Sequence, residues 1–384
     1  MKKLAIVTTH PIQYYAPVFQ LLAQRGRIAI RVFYTDGRQD KRQFDPGFNK
    51  VIAWDIPLLE GYDYEWVPNE SAEPGSHHYR GIINPALIAQ LKTWSPDAIL
   101  FFGWAYQSHL GAMRYFKRRV PVYFRGDSTL LNEENGVKKW LKYFFLKWVY
   151  RHVDHAFYVG QNNKAYFKRY GLREGQLSFA PHAIDNERFQ FVRAGESAAL
   201  RSTLGLTKGD VLVLYAGKFE KVKNVSLLLD AFIRLEHKHV HLLLVGNGPL
   251  EEEIRSQVKN SAAAERIHFL DFQNQSYMPV LYQAADLFCL PSLSETWGLA
   301  VNEAMACGRA VIVSDKVGCA ADLVLPGVNG DIFKTADEEG LLDCLRQDTV
   351  SPGLLQNFGR NSALMITDWC FLRIAETIEN KLTA

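Results

Sequence analysis

Two successive series of short apolar runs, separated by amphipathic stretches of helix length, leave this chain few folds to adopt. The first series is Leu4–Val7, Ile28–Tyr34, Ala98–Phe102, Val120–Phe124 and Ala156–Val159; the second is Val211–Ala216, His241–Val245, Ile267–Leu270, Leu287–Leu290 and Ala310–Val313. Continuous apolar runs rich in branched and aromatic residues read as strands buried on both faces. Alternated with helices, they require a parallel sheet covered on each side, so the pattern predicts an α/β chain of two doubly wound domains facing each other across a cleft. A length of 384 residues is enough for two such cores.

Between the series, Pro181-His-Ala-Ile-Asp185 leads through a polar, strand-free stretch to Leu204, which reads as the crossing between domains 1–183 and 184–360. A last helical stretch, 361–384, follows the second sheet and is expected to pack back on the first domain. Residues 42–80, from Arg42 through Trp54, Tyr62, Tyr64 and Trp66 to Arg80, interrupt the first series without clear periodicity. Such an insertion is either a functional loop or a packed excursion.

Residues 1–183 carry 25 Lys and Arg against 15 Asp and Glu, or +10, while the remainder carries −7. A basic half beside an acidic half suggests an anionic partner for the first. The overall 48% hydrophobic and 22% charged content excludes a disordered chain. No apolar run reaches the ~18 residues of a membrane span, and Leu4–Val7 is too short for a signal peptide. Five cysteines without a C-x-x-C pair predict a reduced, cytoplasmic chain with no zinc site.

The stretch Pro291–Ala306 follows the predicted strand Leu287–Leu290 and runs through a loop into a helix ending near Gly308. A strand end leading to a helix start is where open parallel sheets bind ligands, and the helix N–H groups favour an anion. If the eight steps from Glu295 to Glu303 were all helical, they would rise ~12 Å. Carboxylates sharing one hydrolysis stand within ~5 to 9.5 Å, so separate contacts to one long ligand fit better than a glycosidase pair. Two acids merely facing water remain the plain alternative. Gly217-Lys218-Phe-Glu-Lys221-Val-Lys223-Asn224 likewise joins a strand to the helix Val225–Ile233. Gly and cations at a helix mouth suit a diphosphate, although solvated surface lysines read the same way and the Walker pattern is missing. Gly246-Asn247-Gly248-Pro249-Leu250 opens the next helix with a tight turn.

In this order, Gly217-Lys218 with Lys223, Val245–Leu250, Ala285-Asp286, Pro291-Ser292, Glu295 with Glu303, and Val328-Asn-Gly330 resemble the retaining glycosyltransferases of family four. The resemblance is close over about 211–333 and implies the GT-B architecture of two Rossmann-like domains. It implies that Lys218 and Lys223 hold the donor diphosphate and stabilise charge on it as it leaves, with Lys218 standing where Arg is more common. It further implies that Glu303 binds ribose, that Glu295 binds a hydroxyl of the donor sugar, and that backbone groups of Trp297, Gly298 and Leu299 reach sugar and phosphate. Gly217 and Asn247 belong to the same donor site, and Phe272 and Gln273 are candidates for the base. The implied reaction moves a hexose from a nucleoside diphosphate sugar to a hydroxyl of a glycan or lipid-linked glycan in cell-surface polysaccharide biosynthesis. The sugar nucleotide is a co-substrate; no cofactor and no metal are implied. A sugar-nucleotide epimerase and a non-catalytic sugar-nucleotide-binding subunit share the plan and remain alternatives.

The first domain departs from the family pattern. Its first strand ends in Thr8-Thr-His10-Pro-Ile-Gln13, and Arg125-Gly-Asp127-Ser128 stands where relatives often have a His. His10, Gln13, Arg125 and Asp127 are the acceptor-side candidates: Arg125 for an anionic acceptor, Asp127 to orient its hydroxyl. Residues 138–151, from Lys138 to Arg151, are basic and aromatic without an acid. They suit an anionic membrane surface, which would place the protein peripherally on the inner face of the plasma membrane, or a core helix with solvated lysines; no motif supports nucleic acid.

Overall fold

The computed structural model describes residues 1–37, 42–45, 47, 50–133 and 136–384. They divide into two compact units, Met1–Asp40 with Pro57–His182 and Cys370–Ala384, and Lys41–Ile56 with Ala183–Trp369.

In chain order the strands are β1 (Lys3–Thr8), β2 (Ala29–Tyr34), β3 (Arg42–Asp45), β4 (Lys50–Ala53), β5 (Tyr64–Trp66), β6 (Ala98–Phe102), β7 (Val122–Arg125), β8 (His155–Tyr158), β9 (Leu177–Phe179), β10 (Val211–Ala216), β11 (Val240–Val245), β12 (Ile267–Leu270), β13 (Leu287–Leu290), β14 (Ala310–Ser314) and β15 (Gly330–Phe333). All ten apolar runs are strands, and both sheets are parallel. The first unit orders its seven as β5-β2-β1-β6-β7-β8-β9. Central β1 pairs Leu4 with Ile30 on one side and Ala98 on the other, and Leu4–Val7 are fully buried. Phe101, Phe124, Tyr150 and Phe167 fill one side of this core. Burying each such ring contributes about 1.5–3 kcal/mol.

The second unit orders its six strands as β12-β11-β10-β13-β14-β15. The chain leaves β10 towards β11 and β12, then returns on the other side as β13. The β10/β13 boundary is therefore a topological switch point. The 42–80 insertion divides in two: β3 and β4 form an antiparallel hairpin within a segment that groups with the second unit, while β5 extends the first sheet beside β2. Residues 46, 48 and 49 of this insertion lie outside the described residues.

The final stretch is two helices, Pro352–Met365 and Phe371–Thr383, with a 3-10 turn at Ile366–Asp368. Apolar residues continue through the turn, which hid the break from a periodicity reading. Only the second helix belongs to the first unit. Ile374, Ile378 and Leu382, four residues apart, make its buried stripe. Glu379 in that stripe accepts a forked pair of bonds from Arg25, with Nε and Nη2 at 3.0 Å. This charge-assisted fork holds the helix on Ala16–Arg25.

Asp348 closes the helix Glu338–Asp348 and is buried near Asp331 of β15. Burial, then the neighbouring carboxylate, pushes its carboxyl up from 3.8 to about 8. The folded group binds its proton more tightly than the unfolded one, so its stabilising effect is full below the unfolded value and is lost as pH rises through about 8. Asp348→Asn is expected to remove that loss. Denaturant midpoints at pH 6 and pH 9 should differ less in the variant than in the wild type, and an equal difference refutes the assignment.

Candidate functional site

Parallel pairing puts the carboxyl ends of β11, β10 and β13 side by side, so the loops that follow them share one rim. Gly217–Asn224 follows β10, Gly246–Leu250 follows β11 and Pro291–Gly298 follows β13. The two loops across the switch point are joined twice. Leu293 N–H donates to Val222 O at 2.8 Å, and Lys223 Nζ forms an ion pair with Glu295 Oε1. The same oxygen accepts from the buried Ser292 hydroxyl at 3.0 Å. Lys223 thus lies against a carboxylate, with 24% of its side chain exposed against 14% for Glu295, in a setting where an ion pair is felt more strongly than at the surface.

Two glycines permit this rim. A Cβ on Gly246 would run into the carbonyl oxygen of Gly217, and one on Gly318 into that of Thr296. The second approach lets Glu295 pair with Val317 as an isolated bridge, with Glu295 N–H donating to Lys316 O at 3.1 Å and Gly318 N–H to Glu295 O at 3.2 Å. Gly298, at φ 99°, turns the chain into the helix Leu299–Ala306. Leu299 and Ala300 begin that helix, and their N–H groups have no intrahelical acceptor. Glu303 lies in it, only 3% exposed, its Oε2 accepting from Tyr282 Oη at 2.8 Å.

Other candidates have different surroundings. Trp297 is buried against Trp369, ring centroids 5.2 Å apart, and donates from Nε1 to Asn302 at 2.9 Å; its carbonyl accepts from Cys319. Asn247 uses its amide as a brace: it donates to Glu251 at 2.9 Å and Asp271 at 3.2 Å, and accepts from Phe272 N–H at 2.9 Å. It positions the loop after β12, and with it Phe272 and Gln273. That loop also meets the hairpin segment, through Lys50 to Asp271 at 2.8 Å, Asn274 to Ala53 O at 2.7 Å, and the Trp54 ring beside Phe272. Lys218 lies against Gly47, where an added Cβ would stand 2.6 Å from its Nζ. The Lys218 carbonyl accepts from Tyr215 Oη at 2.8 Å. Burial, with Glu295 and Glu220 nearby, pushes the Tyr215 hydroxyl far up, so it stays a donor. Sequence reasoning named Ser292 only as part of the Pro291-Ser292 motif, without a role, and missed Tyr282, Asn302 and Trp369, whose partners lie on other elements.

In the first unit, His10 and Gln13 follow β1, and Arg125 and Asp127 stand at the end of β7, two strands away across β6. His10 Nδ1 is 2.9 Å from Thr9 Oγ1. Arg125 turns its charge to the backbone. It is 3% exposed and donates to the carbonyls of Ala180 and Pro181, both at 2.7 Å. Burial lowers its guanidinium to about 10 against the pull of Tyr15 and Asp127. The guanidinium thus has a structural task in the fold, holding the carbonyls of Ala180 and Pro181. Asp127 Oδ2 stands 3.7 Å from the buried His182 Nε2, whose pKa burial lowers. Arg125→Met is expected to cost about 3 kcal/mol or more by stranding two buried carbonyls. Calorimetry should show this as a fall of roughly 5–10 °C in Tm, and an unchanged Tm refutes the role.

Residues 196–365 match the family model for glycosyl transferases group 1. The chain is 28% identical over 204 residues to D-inositol 3-phosphate glycosyltransferase 2 of Catenulispora acidiphila, which is 50% of this chain and 47% of that protein. It is 27% identical over 241 residues to the putative glycosyltransferase EpsD of Bacillus subtilis, 60% of this chain and 62% of that one. The chain thus spans about half the length of the curated relatives it matches. Over the full length of both chains it superposes on Anabaena Alr3699/HepE, solved with UDP and glucose, with a TM-score of 0.72 at 20% identity. The fold of the whole chain is GT-B.

Proposed function

We propose, for a chain whose residues 196–365 match the glycosyl transferases group 1 model, transfer of a hexose-type sugar from a nucleoside diphosphate sugar to a hydroxyl of a glycan or lipid-linked glycan, with retention at the anomeric carbon. The observation that carries this reading is the Lys223–Glu295 pair across the switch point, beside the start of the helix that bears Glu303. An incoming diphosphate competes with Glu295 for Lys223, and the freed carboxylate becomes an acceptor for a sugar hydroxyl. The same event thus prepares both ends of the donor. Lys223, Lys218 and the helix N–H groups offset charge on the leaving diphosphate, which is the electrostatic task a metal performs elsewhere. With that diphosphate as proton acceptor on the same face, no side chain has to be a strong base. No cofactor beyond the sugar nucleotide is needed. Glu303, buried and braced by Tyr282, is suited to ribose hydroxyls.

The solved relative bound to UDP makes uridine donors the first to try. A thermal-shift panel of nucleoside diphosphates and their sugars tests donor binding, since a ligand at 100 times its Kd adds about 2.7 kcal/mol. Transfer is then followed with and without glycan acceptors. A donor that stabilises the protein and yields an α-configured product from an α-donor only when acceptor is present supports the reading. Conversion of the donor without acceptor would make the chain an epimerase.

A further inference from the structure

The helix Val137–Tyr150 is apolar on the side that faces water as well as on the side that faces the core. Leu146, Val149 and Tyr150 are buried beneath it. On the opposite side Trp140 is 67% exposed, Leu141 70%, Phe144 60% and Phe145 45%. At 100° per residue these four fall on one arc, with Trp148 at its centre. Trp140 and Phe144 stack on each other at 6.3 Å, and Phe145 stacks on Trp148 at 5.8 Å, so the rings form one patch. Soluble proteins rarely leave such a patch to water without a use for it.

Cations frame the patch. Lys142, Lys147 and Arg151 are exposed along its borders. Arg114 lies over the Trp148 ring at 5.4 Å, and Arg169 over Tyr143 at 4.5 Å. The helix contains no acid, and Glu133 just before it is paired with Lys139 at 3.5 Å. The side chain of Lys138 lies outside the described residues. Aromatic and aliphatic groups in the middle with ammonium and guanidinium groups at the edge match a surface that is anionic outside and apolar just beneath. A protein partner would have to supply acids around an apolar centre; an anionic lipid leaflet has that arrangement everywhere. Among the described residues no helix is long and apolar enough to cross a membrane.

We propose that this helix docks the protein flat on an anionic lipid surface, with Trp140, Leu141, Phe144 and Phe145 among the headgroups and acyl ends, and Lys142, Lys147 and Arg151 on the phosphates. The inference rests on the first unit alone and stands whether or not the donor reading does. Co-sedimentation of the full chain with vesicles tests it. Binding to vesicles rich in phosphatidylglycerol should be at least about tenfold tighter than to pure phosphatidylcholine and should weaken with salt. Trp140→Ser with Phe144→Ser should lower it roughly tenfold or more. Lys142→Gln with Lys147→Gln should lower it by a similar factor and flatten the salt dependence. Neither pair should change Tm, because all four side chains are exposed or at the rim, which separates lost docking from lost folding. Equal binding by wild type and variants, or equal binding to neutral vesicles, overturns the proposal. So does failure to bind lipid combined with a concentration-dependent dimer that the Trp140/Phe144 variant abolishes, since the patch would then be an interface between copies.

Discussion

Lys223→Ala is expected to lower kcat for sugar transfer by about 10²- to 10³-fold, with a much smaller change in donor KM. The reason is where the charge appears. A bound diphosphate already carries its charge, but cleavage of the anomeric bond adds more to the leaving oxygen, and a preorganised ammonium group acts most on charge that develops in the transition state. In the unliganded site Lys223 is held by Glu295, which is itself held by Ser292. The lysine is therefore already placed at the switch point, and binding has to exchange only its partner, Glu295 for the diphosphate. Removing it also leaves Glu295 without its cation, so the single variant mixes two effects. A cycle with Glu295→Gln separates them. If both groups act on one donor, the double variant loses less than the product of the two single losses. A purely structural ion pair would lower Tm in each single variant and leave kcat within twofold, and that result would falsify the assignment. Lys218, which lies against Gly47 on the same strand-to-helix loop, provides the comparison: its replacement should reduce turnover with a weaker coupling to Glu295.

The strands were legible because a sheet buried on both faces needs unbroken apolar runs, and Leu287–Leu290 or Val211–Ala216 can be little else. Those that escaped lack such runs. Tyr64–Trp66 is an edge strand of three residues, Leu177–Phe179 is another, and Gly330–Phe333 has only the pair Ile332-Phe333 as an apolar run. The alternation implied that both sheets are parallel, but their strand order came only with the fold, since right-handed crossovers narrow the arrangements without choosing one. The site was legible only where one loop carried its own chemistry. Glu295, Glu303 and Lys223 announce themselves by charge in turn-forming surroundings. What joins them does not. The Lys223–Glu295 pair spans 72 positions, Tyr282 reaches Glu303 from a preceding helix, and Arg125 turns inward to carbonyls 55 and 56 residues away. A charged residue at a strand end looks the same in sequence whether it meets solvent, ligand or backbone. Arg125 is such a residue, since the fold gives its guanidinium two backbone carbonyls, and Asn247, a donor-site candidate by sequence, also braces a neighbouring loop.

Glu303→Gln is expected to raise the donor KM by roughly 10- to 100-fold, the range for losing a hydrogen bond to a charged acceptor in a buried setting, with kcat nearly unchanged. The substitution keeps the shape of the side chain and removes the charge. A ribose offers two hydroxyl donors, and a carboxylate accepts both, whereas the amide turns one acceptor into a donor. Because Tyr282 already donates to Oε2, a bound ribose would have to share that oxygen or use the other. Tyr282→Phe therefore discriminates. If Glu303 serves the ribose and Tyr282 only orients it, the tyrosine variant raises KM several-fold at most, and the nucleoside diphosphate alone loses affinity in proportion to the full donor in both variants. If Glu303 instead faces the sugar, Glu303→Gln leaves the affinity for the nucleoside diphosphate intact and weakens only the sugar nucleotide. Titration calorimetry with the diphosphate and with its sugar decides between the two. Unaltered affinity for both ligands would remove Glu303 from the donor site and leave it as a buried acid that holds Tyr282 in the core.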